Sequence, residues 1–172
     1  MLTGETLQRM VEAHRERRNL VTVLTAEVED PTGYGRILRE GEAVVGIVEH
    51  KDADEAQRAV REINSGIYVF DAEALREGVS KLSNDNVQGE YYLTDVVTMA
   101  ADGTVEVPGR GCVGAFRIDD VWQTEGVNDR VQLARMNAEV NRRIVTGWMR
   151  AGVTIIDPVS YTHLTLPTTP YV

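Results

Sequence analysis

Leu20-Val21-Thr22-Val23-Leu24-Thr25-Ala26 is a continuous apolar and β-branched run, too short for a helix and without the alternation of a half-exposed strand. Such a run suits a strand buried on both faces, which occurs in parallel or mixed sheets. Upstream, Thr3 followed by Leu7, Met10, Val11 and His14 gives a helical period with a capping residue, and the charges Arg15 to Arg18 close it. His14 falls on the apolar face and reads as a core-edge residue. A helix that leads into a doubly buried strand is the grammar of an α/β fold.

Downstream, Asp30-Pro31-Thr32-Gly33 reads as a loop, and Arg36 to Arg39 and Ala43 to Glu49 as a hairpin joined by Glu40-Gly41-Glu42. Asp54 to Val60 predicts a short helix, Ile63 to Phe70 a strand, Asp71 to Lys81 a capped helix and Glu90 to Ala101 another. Thr104 to Val107 and Val113 to Ile118 predict two more strands. From Asn128 onward, apolar positions from Val131 to Met149 predict one long helix ending at Gly152, with Asn128 placed as its N-cap; it would span roughly 30 Å. Val153 to Ile156 starts a strand that stops at Asp157-Pro158.

Composition narrows the function. Lys and Arg total 18 against 27 for Asp and Glu, a net charge of -9, so the clustered positive charge of a nucleic-acid-binding protein is absent. No apolar run approaches the ~20 residues of a membrane span. The single Cys112 excludes an intramolecular disulfide and no Cys/His spacing suggests zinc, which fits the cytoplasm. Cys112 and Trp148 read as core and helix packing.

The polar residues that stand at strand ends are the informative ones. Gly35 offers a bare backbone that a sugar can approach, Glu49 accepts from hydroxyls, Asn64 both donates and accepts, and Asn128 offers a neutral oxygen to a hard cation. Each also has an ordinary use: Gly35 and Gly66 as turn glycines, Glu49 as a solvated strand end, and Asn64 and Asn128 as caps. Lys51 and Asp52 read as an exposed loop pair, and Asp52-Ala53-Asp54 as surface acid with Asp54 opening a helix rather than as a metal-binding pair. The polar density of Glu90, Tyr91, Tyr92, Thr94 and Asp95 makes a site-lining role credible, and Asp119-Asp120 reads as a turn.

Five motifs in order decide between these uses: Tyr34-Gly35-Arg36-Ile37, Val48-Glu49-His50-Lys51-Asp52-Ala53, Glu62-Ile63-Asn64-Ser65-Gly66-Ile67-Tyr68, Asn86 to Asp95, and Glu125-Gly126-Val127-Asn128-Asp129-Arg130-Val131-Gln132-Leu133. Over residues 2 to about 159 the chain resembles the bacterial bifunctional GlmU family, N-acetylglucosamine-1-phosphate uridyltransferases fused to glucosamine-1-phosphate N-acetyltransferases. The resemblance implies a Rossmann-like α/β nucleotidyltransferase fold and formation of UDP-N-acetylglucosamine from UTP and N-acetylglucosamine 1-phosphate with Mg2+, for cell-wall and lipopolysaccharide precursors. It implies that Gly35, Glu49 and Asn64 bind the N-acetylglucosamine end, and that Asn128 contacts both the nucleotide sugar and Mg2+.

Family features are also missing. The Gly-rich phosphate loop with its Arg and Lys, the uracil-binding segment and the carboxylate metal ligand would lie upstream of Leu2, and the hexapeptide-repeat β-helix would begin near Thr154. The expected organisation is therefore the C-terminal part of a uridyltransferase domain over 1–127, a linker helix over 128–152 and the start of a left-handed β-helix over 153–159. The Thr/Pro-rich stretch 160–172 resembles sequencing-adapter read-through and reads as a non-native tail. On this reading the parent protein is a homotrimer, no catalytic residue lies in this chain, the chain alone has no uridyltransferase activity, and Val21 to Ala26 lacks a neighbour on one edge. The alternatives are a noncatalytic sugar-nucleotide-binding or scaffold module and a glucose-1-phosphate-type nucleotidyltransferase.

Overall fold

The computed structural model describes residues 2–127 and 129–156. Helix α1, Gly4–Arg17, opens the chain, with the Thr3 hydroxyl accepting from Thr6 N at 3.1 Å. It stops where Arg18 enters the left-handed region at φ 53° and its N–H turns back to Arg15 O. Strand β1, Val21–Glu27, follows and is buried along all but its last residue. Val21 and Val23 join a core shared with Ile37, Ile47 and Val97. Thr22 is also buried, and its hydroxyl lies 3.0 Å from His14 Nδ1 of α1. The run is doubly buried as its sequence requires, and His14 sits at the inner edge of α1.

Strands β2, Arg36–Glu40, and β3, Ala43–Val48, form the predicted hairpin, turning at Gly41 with φ +60°. Helix α2, Glu55–Arg58, starts with a capping box between Asp54 and Gln57. Strand β4, Glu62–Phe70, and helix α3, Ala72–Ser80, are separated by Asp71, which caps the helix. Helix α4, Thr94–Ala101, and strand β5, Val113–Ile118, complete the sheet unit. The strand order is β3-β2-β4-β1-β5, with β1 antiparallel to β4 and parallel to β5. The expectation that β1 lacks a neighbour is therefore corrected: both of its edges are paired, and the open edges belong to β3 and β5.

The β2–β4 ladder has a single residue pair, Arg36 with Ile63, so the hairpin bends away and β3 comes into contact with β5. Helix α4 packs on β3, where Thr98 Oγ1 would lie 3.0 Å from a Cβ at Gly46. Helix α1 packs against β1, β4 and β5, and the Arg9 guanidinium rests 5.8 Å from the Phe116 ring centroid.

Several predicted elements change. Helix α4 begins at Thr94 rather than Glu90, because residues 84–93 form a loop held by side-chain bonds from Asn86. Thr104 to Val107 forms no strand; Val105 is wholly buried in a loop and its N–H bonds Met99 O at 2.9 Å, so its β-branched side chain fills a gap in the core. Cys112 is exposed rather than packed in the core.

The backbone divides into two compact units, Met1–Glu125 and Gly126–Val172. The second holds helix α5, Arg130–Arg150. Its cap is Asp129, whose side chain accepts from Gln132 N at 2.7 Å, one residue later than expected. Glu139 accepts from both Arg142 and Arg143, while Trp148 is exposed instead of packed. Val153 to Ile156 forms no strand, and residues 157–172, with most of the expected β-helix start and the tail, lie outside the described residues.

Candidate functional site

Asn64 lies opposite Thr25, near the C-terminal end of β1, and the ladder changes register just there. Thr25 pairs with Asn64 and Val23 with Tyr68, so Ser65, Gly66 and Ile67 stand across from Leu24 alone. This bulge is closed by its own side chains. Ser65 Oγ donates to Leu24 O at 2.7 Å, and Asn64 Oδ1 accepts from Gly66 N at 3.0 Å and from Tyr68 OH at 2.8 Å. Gly66 has φ +76°, a conformation that favours glycine, and the bulge re-aims the strand as bulges beside binding sites do.

The bulge brings three predicted residues together. Asn64 N donates to Gly35 O at 2.9 Å. A methyl group on Gly35 would stand 3.3 Å from Ile47 Cγ2, 3.4 Å from Asn64 Cβ and 3.4 Å from Glu49 Oε1. Glu49 directly follows β3, and its carbonyl accepts from Asp52 N and Ala53 N, each at 3.0 Å, so the chain turns sharply after it. Thr94, buried at the start of α4, donates to Glu49 Oε1 at 3.2 Å. The fourth predicted residue, Asn128, lies outside the described residues.

Next to Glu49 lies a cavity of about 230 Å³ whose lining includes Asp52, Asp85, Asn86, Tyr92, Thr94 and Asp95. Tyr92, Thr94 and Asp95 line this cavity, whereas Glu90 and Tyr91 are exposed. Asp52 is not the surface acid expected of it. Its Oδ1 accepts from Val87 N at 3.1 Å, and its Oδ2 is buried without a partner among the described residues. Burial raises the Asp95 pKa above the usual carboxylate range, and the nearby Asp52 charge adds to the shift. Burial, opposed by the bond to Asn64 and assisted by the Glu49 charge, pushes the Tyr68 phenol up to about 12. Tyr68 therefore stays a hydrogen-bond donor at any physiological pH.

Sequence reasoning did not assign Tyr68 and Thr94 as partners of Asn64 and Glu49. A signal existed for the first: a glycine inside a strand marks a bulge, and a bulge at Gly66 folds position 68 back onto position 64. None existed for the second, which depends on how α4 packs on β3. Arg36, one residue after Gly35 in the first motif, is buried beside the same backbone segment. It is 1% exposed, contacts His50 Nδ1 at 3.2 Å and Tyr34 O, and burial lowers its pKa.

A family model described as nucleotidyl transferase matches residues 1–124. The chain belongs to the nucleotidyl transferase family. Among curated nucleotidyl transferase relatives, it is 98% identical over 160 residues to the bifunctional protein GlmU of Cutibacterium acnes, covering 93% of this chain and 38% of that protein. It is 55% identical over 161 residues to the bifunctional protein GlmU of Paenarthrobacter aurescens, covering 93% of this chain and 31% of that protein. The chain thus spans roughly a third of the length of these relatives. A solved structure from Bacillus anthracis, assigned as a glucose-1-phosphate thymidylyltransferase in complex with a sucrose, aligns with a TM-score of 0.55 at 16% identity. It covers 90% of this chain and 52% of that one, and shows the nucleotidyl transferase fold.

Proposed function

We propose that this chain provides the sugar-binding side of an N-acetylglucosamine-1-phosphate uridyltransferase that works in the cytoplasm. The observation that carries the reading is the meeting of Gly35, Glu49 and Asn64 around one short segment of backbone, beside the C-terminal end of β1 where ligands of α/β sheets collect. The near-identity to a GlmU protein supports the choice of reaction.

In that reaction a phosphate oxygen of N-acetylglucosamine 1-phosphate attacks the α-phosphorus of UTP, pyrophosphate leaves, and UDP-N-acetylglucosamine forms. Phosphoryl and nucleotidyl transfers of this kind depend on positioning and charge neutralisation more than on covalent help from the protein. The residues of this chain hold the sugar. Gly35 leaves room for it, Glu49 accepts from its donors, and Asn64 donates from Nδ2, which makes no hydrogen bond among the described residues and is not sealed from solvent.

The metal of this reaction is taken to be Mg2+, which would neutralise phosphate charge when bound, with Asn128 as one ligand. Among the described residues no group of three or more His, Cys, Asp or Glu could hold a metal.

Calorimetric titration of the chain with N-acetylglucosamine 1-phosphate and with UDP-N-acetylglucosamine tests the reading. Binding that is lost in Asn64→Ala and Glu49→Ala, with unfolding temperatures preserved, is the expected result. Absence of binding by the wild-type chain, or binding indifferent to both substitutions, overturns it.

A further inference from the structure

Asn64 and Glu49 each have one polar atom committed to the protein. Gly66 N can only donate, so the Asn64 atom it meets at 3.0 Å is the carboxamide oxygen, and the Tyr68 hydroxyl at 2.8 Å fills that oxygen's second lone pair. With Oδ1 saturated, the edge of Asn64 left for a ligand is a pure donor, Nδ2. Glu49 is arranged the opposite way. Its Oε1 accepts from Thr94, leaving Oε2 as an acceptor. Asn64 Cβ and Glu49 Oε1 would each lie 3.4 Å from a methyl group on Gly35, so the two side chains flank the same point of the backbone.

Resting on the sugar-site reading above, we propose that Tyr68 is a positioning residue that locks Asn64 with its donor edge outward. It thereby selects ligands that present an acceptor beside a donor, as an acetamido group does with its carbonyl oxygen and N–H. A sugar with a hydroxyl at that position gains less, because one oxygen must serve both partners. The half-buried Tyr68 and the closed bulge keep the arrangement in place before any ligand arrives, so binding does not have to order it.

The test is to titrate the full chain and its Tyr68→Phe variant with N-acetylglucosamine 1-phosphate and with glucose 1-phosphate. Affinity is read by calorimetry and the Asn64 side-chain amide protons by NMR. Losing one hydrogen bond that orients a site group should weaken N-acetylglucosamine 1-phosphate by about 5-fold, while glucose 1-phosphate changes by less than about 2-fold. Unchanged affinity, or an equal loss for both sugars, overturns the inference while leaving the site reading intact. If the wild-type chain binds neither sugar, the site reading fails and the inference with it. Should Tyr68→Phe fail to fold, Asn64→Asp gives the same readout. It keeps acceptors for Gly66 and Tyr68 but replaces the outward donor by an acceptor, so discrimination between the two sugars should vanish, and its persistence overturns the inference.

Discussion

Arg39 and Glu62 face each other as a two-pronged pair, Nε to Oε2 at 2.6 Å and Nη2 to Oε1 at 2.7 Å, bridging β2 and β4 where the ladder between them has one residue pair. Thr25 adds a third bond to Glu62 Oε1 at 2.7 Å from β1. This charge-assisted cluster substitutes for the missing ladder bonds, so Glu62→Gln should destabilise the sheet unit by about 1.5–3 kcal/mol, read as a lower urea midpoint.

The same pair has a pH signature. Burial raises the Glu62 pKa, but the bonds from Arg39 and Thr25 outweigh it and leave the group below its ordinary value of 4.5. A depressed carboxylate contributes its stability above that value and loses it as pH falls through the folded pKa. The stability gap between wild type and Glu62→Gln should therefore be full at neutral pH and shrink below about pH 4.5. A gap that stays constant to pH 3 counts against the pair.

His14 gives a second window. Burial lowers its pKa from 6.5, and the Arg110 charge adds to this, opposed by Asp71 and assisted by Arg15. The folded state is then fully favoured above the unfolded value and loses stability as pH falls below about 6.5, where the unfolded chain takes up the proton first. Thermal melts between pH 7 and 5 should slope downward in the wild type and flatten in His14→Gln.

Gly78→Ala should go against helix propensity. In an open helix the change gains roughly 1 kcal/mol. Here a Cβ would sit 2.5 Å from Cγ1 of the wholly buried Val96, where α3 meets α4. Overpacking of that kind costs about 1–3 kcal/mol, so the net result is destabilisation, measurable by urea denaturation.

Gly35→Ala should separate folding from binding. Its three nearest contacts, at 3.3–3.4 Å, are tight without being clashes. Stability should fall by about 1 kcal/mol, while on the proposed reading of the site affinity for N-acetylglucosamine 1-phosphate should drop at least tenfold, because the methyl presses on both Asn64 and Glu49.

Much of this was readable from residue order, and the reasons differ by element. Leu20 to Ala26 announces a doubly buried strand because no polar side chain interrupts it, and Thr3, Asp54 and Asp71 announce helix starts because their oxygens satisfy free N–H groups. The run at Thr104 to Val107 misleads, since β-branched residues serve any tight apolar gap, and Val105 fills one from a loop. Gly35, Glu49 and Asn64 were named through motifs. Their convergence depends on a hairpin that bends away from β4 and a strand that bulges, which are tertiary events with only a glycine to mark them. Asp52 departs from a plain surface acid because its hydrogen-bond partner, Val87 N, lies in a loop thirty-five residues away.

The bulge at Ser65 to Ile67 inserts two residues, an even number, into β4. Side chains in a strand alternate with a period of two, so everything before Asn64 and after Tyr68 keeps the same inside and outside. Removing Ser65 and Gly66 together would leave a regular strand whose hydrophobic face still meets the core; removing one alone would turn Tyr68, Val69 and Phe70 inside out. The two-residue insert is thus a cassette that the sheet can carry or omit without rewriting its interior.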